Sequence, residues 1–305
     1  MKNRKVPELS IVILSFNTKE ILKNCLKSLE KVRNELEFEV LVVDNASVDG
    51  SSDMVMKNFS WVKIFRNKIN LGFAKGNNRV RNIVLGKYVL FLNSDTIVYP
   101  GTLRTSIDFL HKNNEIGVVS CRVELPDGTL DKDTRRAFIN PWIGLTHLVL
   151  RLDRPFPKSR LFGRYWYGYI PDDIIQEVDT VQGAFILTRK QILDEVNWFD
   201  EEYFLDGEDI DLCWKIKKAG YFIYYYPKVK ITHYKGSSKG KIGSKRNREV
   251  PLSDRLKYRM AGVKSMEIFY KKHLWSQNNM LINYIVLIGV KSLKIQRYIS
   301  TIILG

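Results

Sequence analysis

Leu9–Ser15 is an almost unbroken apolar run, and comparable runs recur at 40–43, 62–65, Tyr88–Leu92 and 117–123. Short continuous apolar segments bounded by turn residues predict strands covered on both faces of a parallel sheet. Between them the spacing changes. Ile21, Leu22, Cys25, Leu26, Leu29 and Val32 recur at helical intervals, and Ser51–Asn58, 75–85 and 103–110 predict further helices. The alternation of strand and helix predicts a Rossmann-like α/β unit over roughly the first 125 residues, with a mainly parallel central sheet and helices on both faces.

From 126 to 179 the periodicity weakens. Turn signals multiply at Pro126-Asp127-Gly128, Pro141, Pro155-Phe156-Pro157 and Pro171, and Trp142, Tyr165, Trp166, Tyr167 and Tyr169 add an aromatic load. Such residues suit stacking on sugar rings, and Arg135 and Arg136 either meet a phosphate or lie on the surface. A helix is predicted from the acids at 206–211 through Leu212, Cys213 and Ile216 to a stop at Gly220. Three segments follow: 1–125, 126–240, which continues the same domain, and 241–305 as a basic helical extension.

In the last segment, 280–290 is largely apolar but shorter than the roughly 20 residues that span a bilayer. Ile282, Ile285, Val286, Ile288 and Leu293, with Ile299, Ile302 and Ile303 beyond, form either interfacial helices flanked by Lys291 and Lys294 or helices packed on the domain or on a partner subunit.

Charge adds a partner. The 305 residues carry 49 Lys or Arg against 33 acids, a formal net charge of +16. Twelve of the basic residues lie between Lys235 and Lys272, against Glu249, Asp254 and Glu267. A field of one sign attracts anionic surfaces, and in the absence of any RNA-binding, helix-turn-helix or zinc signature an anionic membrane face or a phosphorylated acceptor fits at least as well as nucleic acid. A solvated basic surface is the alternative. The Gly- and Lys-rich run 235–248 is expected to be mobile and to close over a bound donor. Cys25, Cys121 and Cys213 lie in apolar patterns without metal or disulfide spacing, as core thiols in a reducing compartment do, and the charged start lacks a secretory signal, so the expected location is cytoplasmic.

Candidate chemistry sits where strands end. In open α/β sheets ligands collect beyond the carboxyl ends of strands, and Tyr88–Leu92 runs into Asn93-Ser94-Asp95. Asp95 there either ligates a divalent cation or belongs to a turn and helix cap. Asp44 and Asn45 follow a second strand and Asn17 a first. Gly72 and Gly76 allow close backbone approach, and Arg79 and Arg81 either reach a phosphate or face solvent. On the helix opening at 208, Asp209, Cys213 and Ile216 share one face while Glu208 points elsewhere with Asp211 and Lys215; the acids are either catalytic or caps.

These separated motifs, in order, resemble the family 2 inverting glycosyltransferases of the GT-A fold over residues 8 to 240. Ser15-Phe16-Asn17 and 42–47 look like the nucleotide-sugar entrance, 70–78 looks like the loop before the metal motif, and Asn93-Ser94-Asp95 stands where the family has Asp-Xaa-Asp. Gln182-Gly183-Ala184, Glu208-Asp209 and His233 complete the pattern. The resemblance implies a GT-A sandwich, with 1–125 as its nucleotide-sugar-binding half and 126–240 as its acceptor-binding and catalytic half; Asp95 and His233 as ligands of Mg²⁺ or Mn²⁺; Asp209 as general base supported by Glu208; and Asn17, Asp44, Asn45, Gly72, Asn77, Asn93 and Arg79 on the nucleotide sugar. Asp44 is then the acceptor for the N3–H of uracil or thymine. Asn93 in place of the first acid leaves Asp95 as the one carboxylate of the triplet and weakens the implied dependence on metal.

The implied activity is inverting transfer from a nucleotide-diphosphate donor, dTDP-rhamnose or a UDP-sugar, to a glycan or lipid-linked acceptor in cell-surface polysaccharide synthesis, at the inner face of the cell membrane. The loop Asn70-Leu71-Gly72-Phe73 resembles the rhamnosyltransferase-like subgroup. A dinucleotide oxidoreductase is excluded because Ser15-Phe16-Asn17-Thr18 is not a glycine-rich fingerprint. A non-catalytic polyanion- or nucleic-acid-binding module explains the charge but not the acids at strand ends.

Overall fold

Ile11 and Ile13 of the first strand face one side of the central sheet and Val12 the other, and all three are fully buried. That is why an unbroken apolar run is needed there. The computed structural model describes residues 6–235 and 252–304.

The elements are β1 (Leu9–Ser15), α1 (Lys19–Lys31), β2 (Phe38–Asp44), α2 (Ser51–Asn58), β3 (Val62–Arg66), α3 (Phe73–Asn78), β4 (Tyr88–Leu92), β5 (Thr96–Val98), α4 (Thr102–Lys112) and β6 (Ile116–Glu124). There follow β7 (Arg135–Arg136), α5 (Pro141–Ile143) with a π-helical continuation, β8 (Gln176–Glu177), β9 (Thr180–Val181), β10 (Phe185–Arg189), α6 (Lys190–Glu195), α7 (Glu208–Lys218), β11 (Phe222–His233), α8 (Leu252–Phe269) and α9 (Met280–Leu304).

The main sheet runs β3-β2-β1-β4-β10-β6-β11-β5, with β8 also on β11, and β7 and β9 form a separate ribbon. From β3 to β4 every pairing is parallel. Beyond β4 the sheet is mixed. β10, from the second half of the chain, inserts antiparallel between β4 and β6, and β11 returns parallel to β6. The expected α/β sandwich with a C-terminal helical region is present, but β6 is not the next parallel neighbour of β4, and strands from both sides of residue 125 share one sheet.

Leu22, Leu26, Leu103 and Ile107 of α1 and α4 cover one face; Leu212, Cys213 and Ile216 of α7, with Trp198 and Phe199, cover the other. The helix expected over 75–85 ends at Asn78. Asn78 turns its amide to Phe199 O at 2.8 Å, and side chains that bond outside the helix compete with its continuation. Residues 280 to 304 form one helix of 25 residues instead of several short ones. The expected lid at 235–248 lies, after Lys235, outside the described residues.

Candidate active site

The parallel strands β1, β2 and β4 all end on one edge of the sheet, and a cavity of about 430 Å³ opens there. Of the residues singled out in the sequence, Asn45, Gly72, Asn93, Asp95, Glu208, Asp209 and His233 line it. Residues more than a hundred positions apart meet because β5 and β11 pair antiparallel, with His233 opposite Thr96. Tyr234 N then donates to Asp95 O at 2.8 Å, and His233 Nε2 comes to 3.2 Å from Asp95 Oδ1.

The other imidazole nitrogen, Nδ1, lies 3.2 Å from Asp131 Oδ2. Burial alone lowers the His233 pKa, but hydrogen bonds to Asp131 and Asp95 and the charges of both carboxylates outweigh it and raise the pKa to about 9. Asp131 is held below the ordinary carboxylate range: burial opposes this, and His233 and Lys235, the latter 2.7 Å away, prevail.

On the opposite wall Gly207, at φ +100°, turns the chain into α7 and presents the first turn of that helix to the cavity. Asp209 Oδ2 accepts from Arg136 at 2.6 Å and from the Gly183 amide at 3.2 Å. The Arg136 guanidinium is buried, and Asp209 offsets the cost of that burial and holds its pKa up. Glu208 lines the cavity too, contrary to the expectation from helix spacing that it points elsewhere, because the first two residues of α7 lie at its open end. Asp211 does turn away, to Tyr203 and His273.

The profile of Glycosyl transferase family 2 matches residues 10–196, more than half of the chain. The chain belongs to this family. It is 26% identical over 249 residues to an N-acetylglucosaminyl-diphospho-decaprenol L-rhamnosyltransferase of Mycobacterium tuberculosis, covering 76% of this chain and 78% of that protein. Rhamnosyltransferase WbbL of Escherichia coli is 25% identical over 232 residues, 73% of this chain and 82% of that one. Among solved structures, the mannosyltransferase PcManGT of Pyrobaculum calidifontis, in complex with GDP-Man and Mn²⁺, superposes with a TM-score of 0.54 at 13% identity, over 97% of this chain and 86% of that one. The fold is thus that of the GT-A glycosyltransferases.

Within this family 2 glycosyltransferase, four predicted contacts lie off the cavity. The Asp44 carboxylate accepts from the Ser47 amide at 2.9 Å and from the Ser52 hydroxyl, so both oxygens already have local donors. Asn17, at φ +54°, accepts from the Val48 amide at 2.8 Å and ties the β1 loop to the β2 loop. Asn77 is buried, its amide donating to Phe73 O at 3.0 Å within α3. Arg79 is exposed at the end of the same helix, so it is not a cavity residue. The two paired arginines do not lie on the surface, and Arg136 lines the cavity. Arg135 is buried and donates to Ile170 O and Pro171 O, and Arg136 is engaged by Asp209.

Sequence reasoning missed Asn70, Asp131, Asp133, Lys235 and Tyr258. Asn45 is the hub of the first: its amide donates to Asn70 Oδ1 at 2.8 Å, and Asn70 donates to Tyr258 OH at 3.2 Å. Tyr258, from α8, lines the cavity, so the C-terminal extension completes its wall. The signal for Asp131 and Asp133 was an acid pair just after a Pro-Asp-Gly turn; Tyr258 left none.

The residues present suit a divalent cation. Among the described residues no group of three or more His, Cys, Asp or Glu is arranged as a metal cage. Asp95 and His233 supply one oxygen and one nitrogen donor, and the Nδ1 contact to Asp131 is the outer support that ligating histidines use. Asp95, Asp133, Asp206, Glu208 and Asp209 line the cavity against Arg136, Lys235 and His233. The acids outnumber the basic groups in that lining, so its balance of charge favours a cation.

Proposed function

We propose that the chain catalyses inverting, Mg²⁺- or Mn²⁺-dependent transfer of a sugar from a nucleoside-diphosphate donor to a glycan or lipid-linked acceptor in cell-surface polysaccharide synthesis. The observation that carries this reading is the convergence of Asp95, His233 and Asp209 on one cavity. A non-catalytic polyanion-binding module is disfavoured by family membership and by the acidity of that cavity.

Asp95 and His233 would hold the cation, which would supply positive charge to the departing nucleoside diphosphate. Asp131 keeps the imidazole oriented through Nδ1. Asp209 takes the proton from the attacking acceptor hydroxyl as the sugar carbon inverts; Arg136 and the Gly183 amide hold Oδ2 so that the carboxylate keeps one orientation. Glu208, beside it, supports the same acid. Asn93 meets the donor in place of an acid, and Asn45 and Gly72 shape the loop on the nucleotide side. We assign Asp44, at the end of β2, to the base N3–H, and Asn17, Asn77 and Arg79 to the nucleotide side beyond the cavity.

The rhamnosyltransferase names of the two relatives support rhamnose as the sugar, and we take dTDP-rhamnose as the donor with a UDP-sugar as the second choice. The decaprenol-linked substrate in the name of one relative supports a lipid-linked acceptor and hence work in the cytoplasm at the inner membrane face. The test is a thermal-shift screen of nucleotide sugars with and without Mn²⁺, since a ligand that binds only the native state raises the melting temperature. A Mn²⁺-dependent rise with dTDP-rhamnose is expected. No rise with any nucleotide sugar overturns the reading.

A further inference from the structure

The α9 helix is apolar along its outward side, where a helix packed on a soluble domain is polar. Its inward side carries Val286 and Val290 together with polar groups. Asn283, 2% exposed, accepts from Tyr270 OH at 2.7 Å and donates to Trp275 O at 3.1 Å. Lys294 pairs with Glu267, Arg297 donates to Arg259 O at 3.2 Å, and Thr301 is buried. Its outward side carries Leu281, Ile285, Ile288, Ile295, Ile299 and Ile302, exposed by 70, 59, 63, 61, 49 and 50%. These recur every three, four or seven residues and form one stripe about 30 Å long at 1.5 Å per residue. Single exposed apolar side chains need no account; a continuous stripe of them does.

We infer that this stripe lies in the boundary between headgroups and acyl chains of an anionic bilayer, with the helix axis in the membrane plane. The inference rests on the reading of the site as one that takes a lipid-linked acceptor, and it names the surface that brings the enzyme to it. Charge selects the occupant. No Asp or Glu occurs from Met280 to Leu304, and residues 252 to 304 carry nine Lys or Arg against Asp254 and Glu267. Lys291 and Ser292 interrupt the stripe at its midpoint, both exposed.

A second copy of the chain fits that midpoint poorly. Two α9 helices related by a twofold axis and covering the whole stripe cross at its centre, which sets the Lys291 ammonium groups against each other in a dry interface. At a bilayer the same side chain extends to an anionic headgroup while its methylenes stay with the apolar face. Among the described residues no helix is long and apolar enough to cross a membrane, so α9 lies along the surface. The contact reaches the site through α8, which is bonded to α9 by Arg259 and Arg297, supports the Leu205 carbonyl through Ser265 at 3.2 Å, and lines the cavity with Tyr258.

The test is flotation of the full chain with vesicles of phosphatidylcholine, alone or mixed with phosphatidylglycerol, beside calorimetric binding of dTDP and UDP with Mn²⁺. The wild type is expected to float with the mixed vesicles. Ile288→Glu combined with Ile295→Glu should abolish flotation with nucleotide affinity unchanged, and Lys291→Glu, which keeps the apolar stripe, should remove the gain from phosphatidylglycerol. Flotation of the double variant equal to wild type overturns the inference. So does a wild type that stays unbound and forms a dimer which the double variant dissolves in light scattering. Flotation as expected with no binding of either nucleotide leaves the surface assigned and refutes the donor reading instead.

Discussion

His233 Nε2 stands 3.2 Å from Asp95 Oδ1 because the last residue of β11 pairs with Thr96, directly after that acid. The pairing of two strands, rather than any local motif, thus builds the pair of donors. If these hold a cation, Mn²⁺ should strengthen nucleoside-diphosphate binding in the wild type, and Asp95→Ala should lose that gain while binding without metal changes little. Isothermal titration with and without Mn²⁺ measures both; equal dissociation constants in the wild type reject the metal role.

Asp131 acts on the same nitrogen ring from the other side. Asp131→Ala should weaken Mn²⁺ affinity by about 10- to 100-fold, the usual effect of removing the partner of a ligating histidine. Asp131→Asn, which still accepts from Nδ1, should lose less. Identical metal affinity in all three proteins excludes an orienting role.

The pH dependence follows from His233. Its pKa is raised from an ordinary value of 6.5 to about 9 by carboxylates that outweigh burial. A group with a raised folded-state pKa stabilises most below its unfolded value, and that contribution disappears as pH rises through the folded value. The metal-free protein should therefore lose melting temperature between pH 6.5 and about 9, and His233→Gln should flatten this slope. Mn²⁺ affinity should run the opposite way and rise across the same window, because the cation competes with the proton. Melting curves in chelator at stepped pH decide the first, and titrations with Mn²⁺ the second.

Asp209→Asn should lower transfer by about 10²- to 10⁴-fold, the range for a removed general base, with donor affinity retained. The same change leaves the buried Arg136 facing a neutral amide, and losing one partner of a buried ion pair costs about 3–5 kcal/mol. Melting must therefore be measured beside turnover, so that lost activity is read on folded protein. Arg136→Met paired with Asp209→Asn should recover stability without recovering rate. Normal turnover in folded Asp209→Asn removes it as base.

The site was half legible before folding. Asp95 and Asp209 follow signals that are local, a buried run broken by an acid and an acidic turn opening a helix. Asp131 and Tyr258 meet the site through contacts 102 positions and 188 positions along the chain, to His233 and Asn70, and no local pattern encodes such distances. The fold divides the same way. The β1–β4 alternation fixes parallel neighbours, whereas the insertion of β10 between β4 and β6 depends on strand direction, which a five-residue apolar run does not carry. The helix at 75–85 failed because Asn78 makes a tertiary contact to Phe199 that outweighs the apolar spacing of Val80, Ile83 and Val84.

Gly72 tests whether the two walls of the cavity are coupled. It sits at φ +79°, and a Cβ there would run into the Phe204 carbonyl, whose oxygen already accepts from the Phe73 amide at 2.7 Å. Only a residue without a side chain allows the 70–73 loop to lie against the 204–207 loop that leads into α7. Gly72→Ala should therefore cost at least about 1 kcal/mol from the left-handed backbone alone and push the two loops apart. Because the first carries Asn70 and the second leads to Asp209, donor affinity and turnover should fall together, unlike Asp209→Asn, which spares affinity. A Gly72→Ala protein with both parameters at wild-type values would show that the walls are built independently.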